Sequence, residues 1–385
     1  MSATGDVTVT SSPESPETGS GVVGLVCTVS TVRDSLENVR LFVTRNLAAG
    51  ADHMFVFLDD ADPEVGDYLD GNEHVTSIST EKRYWGGQRP TNLNVRQVVN
   101  AKLVNTLLAP FKEVRWLFHI DGDECLDVDK TALLRMPDTA RVVRLTTLEA
   151  VSQAEGTQPI EQFKRPLSRD ELRLLTVLGV LERAHMRHYY NGHLGGKSGL
   201  KPSVDLRLQI HNVRDLEGNS SEPITGEHLN VLHYESFSSP EFLRKWSAHL
   251  SGGREAKFSA RKDRLRSAIG AVLQNKHLDE QRKRDLLLEI YRRHVEDDVA
   301  RLAELGFLVT PAPEHHDHRP AGFPAEVKGS LVTLRRLLLG VDARHRVDPG
   351  ATGQSELLRT VRAGLGDGTG ELATRLDRAL SVAGR

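Results

Sequence analysis

Apolar and polar positions along the chain alternate between two periods. Val22 to Val29 (VVGLVCTV) is an unbroken apolar, β-branched run, which suits a strand covered on both faces. Leu36, Val39, Phe42, Val43 and Leu47 then recur at helical spacing, with Asp34 placed to cap the helix and Ala49-Gly50-Ala51 placed to end it. His53 to Leu58 (HMFVFL) is a second apolar run that stops at Asp59 and Asp60. Strand, helix and strand in so short a stretch predict a right-handed βαβ unit with parallel strands. A second unit follows: a strand over Val75–Ser79, a Gly/Pro loop over Tyr84–Thr91, a helix over Leu93–Leu108 and a central strand over Arg115–Ile120.

That strand runs directly into Asp121-Gly122-Asp123-Glu124. Open α/β sheets bind ligands beyond the carboxyl ends of their strands. Two aspartates one residue apart suit a hard cation such as Mn²⁺ or Mg²⁺, which prefers oxygen ligands. Such an ion bridges phosphates and offsets the charge of a phosphate leaving group. Gly122 is expected to let the backbone approach the ligand. An EF-hand is excluded, because Leu126 and Ala132 stand where that loop needs Gly and Glu. A phosphatase with Asp121 as nucleophile, and a plain solvated acidic turn, stay open as alternatives.

Beyond the acidic motif the pattern is mixed, with strand-like pieces at Val142–Thr146, Leu206–Ile210 and Leu229–His233. From Pro240 it becomes helical: Glu241–Leu250, Arg261–Gln274 and Asp279–Leu305. The Pro-rich stretch Thr310–Pro324 has neither period, and helices are expected again over Val327–Leu339 and Glu371–Val382. No internal repeat is present. The expected division is a disordered Ser/Thr/Pro-rich leader over 1–20, a catalytic domain over 21–239, a helical extension over 240–309, a Pro-rich linker over 310–326 and a helical tail over 327–385.

Composition narrows the function classes. The 385 residues hold 38% apolar and 27% charged side chains, the balance of a globular protein. Fifty basic against 53 acidic residues leave a net charge of −3, so nucleic acid is not expected as a partner. Cys27 and Cys125 lie in apolar runs and read as reduced core thiols. No apolar stretch is long enough to span a bilayer, and the leader lacks the basic start and apolar centre of a signal peptide. A cytoplasmic location is expected. The basic stretch LVTLRRLLLGVDARHR suits peripheral contact with an anionic membrane surface, or simply a solvated face.

Several segments, taken in order, resemble the family-2-like GT-A glycosyltransferases, including their family-92-like branch. Asp121-Gly122-Asp123-Glu124-Cys125 is similar to that group's Asp-x-Asp-Glu-aromatic motif, with Cys125 at the aromatic position. Gln97 with Asn100 or Ala101 is similar to its preceding Gln-x-x-x-Asn helix. Gly196-Lys197-Ser198-Gly199-Leu200-Lys201-Pro202 followed by His211 is similar to its Gly-Lys-Ser segment. His233-Tyr234 with Ser239, Glu241, Phe242 and Lys245 is similar to its late motif. The resemblance covers about Val22 to Gly253. It departs after the first strand, where Thr31-Val32-Arg33-Asp34 replaces an Asn-Glu pair.

The resemblance implies a GT-A fold: a Rossmann-like, mixed but mainly parallel sheet, here with a helical C-terminal extension. It implies transfer of a sugar, with inversion, from a nucleotide-diphosphate donor to a saccharide or other hydroxyl acceptor, in cell-surface polysaccharide or glycoconjugate synthesis. The implied metal ligands are Asp121, Asp123 and His233, and the implied ion is Mn²⁺ or Mg²⁺. Candidate nucleotide-sugar contacts are Arg33, Asp59, Asp60, Arg96, Asp121, Lys197 and His211. Lys197 is expected on a Gly-rich phosphate loop, with a flexible hairpin as the bland alternative. Glu149 is the first candidate for general base and Asp205 the second. Arg83, Tyr84 and Trp85 are placed to face pyrophosphate or acceptor, or to pin their loop to the core. His315, His316 and His318 look like a metal cluster but fall in the expected linker. The competing functions are a metal-dependent phosphatase or nucleotidyltransferase, and a nucleotide-sugar-binding protein without turnover.

Overall fold

The computed structural model describes residues 24–60, 62–156, 158–181, 189–251, 260–347, 353–365 and 370–382. The expected leader lies outside them. The strands are β1 (Leu25–Val32), β2 (His53–Leu58), β3 (Val75–Ser79), β4 (Val114–His119), β5 (Glu124–Val128), β6 (Val142–Ala150), β7 (Phe163–Lys164), β8 (Lys197–Leu200), β9 (Arg207–Leu208), β10 (Val213–Arg214), β11 (Leu229–His233) and β12 (Leu308–Val309). Ten form one sheet with the order β12-β7-β6-β8-β4-β1-β2-β3, and β11 lies between β5 and β6; β9 and β10 form a separate ribbon. Pairing is parallel through β3, β2, β1 and β4 and between β6 and β11, whereas β5, β7 and β8 run against it. The protein is a mixed α/β fold with a mostly parallel, Rossmann-like central sheet and a helical C-terminal region.

Alternation along the strands divides the core into two layers. Leu25, Cys27 and Val29 of β1 pack with Phe55 and Phe57 of β2 on one face; Val26 with Met54 and Val56 lies on the other. The second face is covered by helices Leu36–Ala48 and Pro63–Asp70. Ser35 rather than Asp34 caps the first of these, accepting from Asn38 N, while Asp34 Oδ1 accepts from Ser35 N. The helix Pro63–Asp70 is not among the expected elements: Asp62 caps it and proline starts it.

Helix Leu93–Leu108 covers the opposite face and is buried almost all round. Its outer side is covered by the tail, where Val327, Leu331, Leu334 and Leu338 of helix Ala325–Gly340 join the same cluster as Leu357, Leu358, Val361 and Leu376. The stretch expected as a linker lies against the sheet domain: His318 N donates to Ala48 O at 2.9 Å and Ala321 N to Asp52 Oδ1 at 2.7 Å. Apolar faces of the tail helices explain this, since each needs a partner.

Three further expectations are corrected. The Gly-Lys-Ser segment is not a loop: Lys197–Leu200 is β8, between β4 and β6, and a Cβ at Gly199 would collide with the Phe118 ring. The run Leu206–Ile210 supplies only the two residues of β9. The helix expected over Asp279–Leu305 breaks into Glu280–His294 and Val299–Glu304, where Asp298 caps the second part. Helices Ser239–Ser251, Ala260–Gln274 and Glu280–His294 form their own core around Phe242, Trp246, Ile269, Leu287 and Tyr291. Tyr291 Oη ties it to the sheet by donating to Ser236 O at 2.8 Å.

Candidate functional site

The parallel strands deliver Thr31, Asp59, Asp121 and His233 to one end of the sheet. There a cleft of about 380 Å³ opens, lined by Thr31, Asp59, Asp121, Asp123, His193 and His233 among others. Asp121 and Asp123 lie in the turn between β4 and β5. β11 fits between β5 and β6 so that His233 is in register with Glu124 on one side and Glu149 on the other. Register alone therefore places an imidazole between two buried carboxylates.

Each carboxylate has a specific partner. Asp121 Oδ1 accepts from Gln97 Nε2 at 2.7 Å and Oδ2 from Lys197 Nζ at 2.5 Å. Lys197, fully buried, also lies 3.2 Å from Glu124 Oε2. Burial by itself would raise the Asp121 pKa, but the Lys197 ammonium holds it at about 2. Asp123 Oδ2 accepts from Lys245 Nζ at 2.5 Å, and the same ammonium donates to Glu235 Oε2 at 2.8 Å. His233 Nε2 lies 3.5 Å from Asp123 Oδ2 and 3.7 Å from Glu235 Oε2. Burial would lower the His233 pKa, but Asp123, Glu124 and Glu235 around it raise it to about 9.

Two ligand sets within the cleft could hold a divalent ion. The donor atoms of Asp123, His233 and Glu235 lie within 4.8 Å of one another, as do those of Glu124, His193 and His233. Glu124 Oε1, His193 Nδ1 and Nε2, and His233 Nδ1 are buried without hydrogen-bond partners. The carboxylate oxygens fit Mn²⁺ or Mg²⁺, and the imidazoles favour Mn²⁺ over Mg²⁺. A ligating His233 must be neutral, so an ion there competes with a proton. It also competes with the Lys245 ammonium between Asp123 and Glu235. At Gly122 a Cβ would be in ordinary contact with Val32, at 3.4 and 3.5 Å from its methyls. Gly192 is the glycine that matters: a Cβ there would collide with the His233 ring and with Glu149 Oε2.

The other sequence candidates fall into two groups. Arg33, Asp59, His211 and His233 line the cleft. Asp59 is clamped by Arg89 Nη2 at 2.5 Å and Arg96 Nη2 at 2.9 Å. Arg96 also donates to Pro90 O and Thr91 O, so it holds a loop and does not line the cleft. Asp60 does not line it either; it pairs with Arg33 at 3.1 Å. His211 Nδ1 is 2.8 Å from Gly196 O, and burial lowers its pKa.

Neither general-base candidate fits its expected role. Glu149 is fully buried; its oxygens accept from Asn191 N at 2.7 Å and Gly192 N at 2.5 Å, with Lys164 Nζ 3.1 Å away. It anchors the 191–192 backbone behind His233 and does not line the cleft. Asp205 pairs with Arg141 at 2.7 Å, just before the start of β6, the end of the sheet away from the cleft. Trp85 is buried in the core and is not positioned to stack on a sugar. His315 and His316 form no metal cluster with His318 among the described residues; both face Asp127 Oδ1, at 2.9 and 3.3 Å.

Sequence reasoning assigned no role to Glu235, His193, Arg244, Lys245 or Lys262, yet all line the cleft. The last three come from the helical extension, which the sequence reading treated as accessory. A signal existed for Lys245, the lysine of the late motif, and for Glu235, two residues beyond His233.

No family model matches the chain, and no curated protein matches it. Among matching solved structures is HddC from Yersinia pseudotuberculosis, 11% identical, with a TM-score of 0.21 over 34% of this chain and 60% of that one. At that score the likeness carries no argument about fold or function. No helix among the described residues is long and apolar enough to cross a membrane.

Proposed function

We propose that the protein is a GT-A glycosyltransferase that uses a nucleotide-diphosphate sugar and a divalent ion. One observation carries the reading. Asp121, Asp123, Glu235 and His233 share a cleft with Arg33, Arg244, Lys245 and Lys262, beyond the carboxyl ends of parallel strands. Carboxylates suit a hard cation and a single imidazole favours Mn²⁺ among them, while the ring of cations suits a diphosphate. Asp123, His233 and Glu235 would hold the ion, which when bound supplies a positive charge against the departing nucleoside diphosphate. Lys245, released from Asp123 and Glu235, and Lys262 beside it would then face phosphate oxygens. Asp121, fixed by Gln97 and Lys197, would keep its charge and contact the ribose of the donor. Glu149 and Gly192 act from behind, holding the His233 ring in place.

A metal-free binding protein is the second reading, favoured by one specific finding. Asp121 and Asp123 each already have a lysine ammonium at 2.5 Å. Melting-temperature screens with nucleoside diphosphates and their sugars, with and without Mn²⁺, separate the two. Mn²⁺-dependent stabilisation followed by release of nucleoside diphosphate supports the glycosyltransferase. Donor binding that ignores Mn²⁺ and yields no product supports the binding protein. Release of free phosphate or pyrophosphate instead points to a phosphatase or nucleotidyltransferase.

A further inference from the structure

A second cavity lies at the outer edge of the same sheet. It measures about 690 Å³ and is bounded by the end of β3, the turn around Tyr84 and the tail helix Ala325–Gly340. It shares no lining residue with the cleft described above. Its charged residues are Arg83, Arg335, Arg336 and Arg346 against Glu81 alone. Among the described residues none of these four arginines has a salt bridge. Ile78, Val332 and Leu339 supply an apolar wall.

Arg346 is the decisive residue. Only 4% of it is exposed, and its guanidinium lies 4.3 Å from the centre of the Tyr84 ring. Nη2 donates to Tyr84 O at 2.7 Å, but Nε and Nη1 have no acceptor. Two unpaired N–H groups on a buried cation are costly, and native proteins rarely leave them so. Nε–H and the Nη1 N–H groups point to different edges of the guanidinium, so each can donate singly to an oxygen of a phosphate or carboxylate. Four guanidinium groups around one cavity favour the more highly charged phosphate.

We propose that this cavity is a binding site for a phosphate monoester carrying an apolar or ring-containing body. Arg346 donates singly to the phosphate through an unpaired N–H, Arg83 and Arg335 complete the charge, and Ile78 and Leu339 face the body of the ligand. The tail thus contributes half of a ligand site as well as covering the core. The proposal is independent of the chemistry in the main cleft.

Inorganic phosphate is the test probe, titrated by calorimetry into the full chain at constant ionic strength. Arg83 is exposed and Arg335 half-buried, so the double variant Arg83→Ala/Arg335→Ala should keep its fold. We expect it to weaken phosphate binding at least tenfold, and Arg346→Lys, which keeps the charge but loses the guanidinium N–H groups, to weaken it as well. Affinity equal to wild type in the double variant would overturn the proposal, because all phosphate would then be bound in the main cleft. Sedimentation with vesicles bearing a phosphomonoester headgroup identifies the source. Pelleting that the double variant loses indicates a lipid, and phosphate binding without pelleting indicates a soluble phosphoester.

Discussion

Lys245 Nζ donates to Asp123 Oδ2 at 2.5 Å, joining a helix of the C-terminal region to the acidic turn after β4, 122 positions away in sequence. The ammonium also reaches Glu235 at 2.8 Å, so it lies between two of the three groups proposed to hold the divalent ion. Ion and ammonium therefore compete. Lys245→Met should bind Mn²⁺ about tenfold more tightly than wild type in the absence of donor, and Asp123→Ala should lose Mn²⁺ binding while remaining folded. Calorimetric titration measures both. Equal Mn²⁺ affinity in all three proteins would remove Asp123 and Lys245 from the metal site.

Gly192→Ala tests how the His233 ring is held. The added methyl has no space between His233 and Glu149, and both are buried in strands that cannot yield easily. Overpacking of this kind costs about 1–3 kcal/mol. The melting temperature should drop accordingly, and Mn²⁺ affinity should fall with it because the imidazole is displaced. A variant as stable as wild type would show that the loop before β8 moves freely.

Glu149→Gln distinguishes a structural carboxylate from a general base. It removes the charge facing Lys164, which keeps Asp297 at 2.9 Å as its remaining carboxylate and Tyr189 O at 3.2 Å. Breaking a buried pair costs roughly 3–5 kcal/mol, reduced here by that second carboxylate. Thermal melting should register the loss. Unchanged stability with a turnover reduced more than a hundredfold would restore Glu149 as the base.

Removal of residues 311–385 takes away Val327, Leu331, Leu334, Leu338, Leu357, Leu358, Val361 and Leu376, all buried on or beside helix Leu93–Leu108. At about 1.5–3 kcal/mol for each side chain, the gross burial lost is roughly 12–24 kcal/mol, comparable with or above the roughly 5–15 kcal/mol by which domains are stable. The shortened chain should show no cooperative melting transition. A sharp transition and intact donor binding would mean that the tail is an independent unit.

His53 predicts an acid-labile edge. Burial first, then the positive field of His74, Lys328 and Arg335, lowers its pKa to about 3, and its Nε2 lies 2.8 Å from Thr76 Oγ1. The unfolded chain takes up the proton near pH 6.5, while the folded protein resists it until about pH 3. The folded state binds fewer protons in that window, so stability falls as pH falls through it, by on the order of 1.4 kcal/mol per unit. Melting curves of wild type and His53→Gln between pH 7 and 4 check this. The variant should have the shallower pH dependence.

Local pattern was enough to determine the parallel half of the sheet. The apolar runs of β1, β2 and β4, the helix Leu93–Leu108 and the late strand β11 are all legible, because each depends on the period of a few neighbouring residues. Local pattern also placed Asp121 and Asp123 at a strand end, since the change from apolar to acidic occurs within RWLFHIDGDE. What the spacing could not supply was register. That His233 lies between Glu124 and Glu149 follows from β11 entering between β5 and β6, a choice made by packing among segments far apart in sequence. Lys197 misled for the same reason: a glycine-rich stretch reads as a loop, and only the Phe118 ring against Gly199 explains why glycine belongs in that strand. Lys245 and the tail repeat the lesson. Their amphipathic faces were visible, but which surface each would cover was decided by tertiary burial, because apolar contact has no address in the sequence.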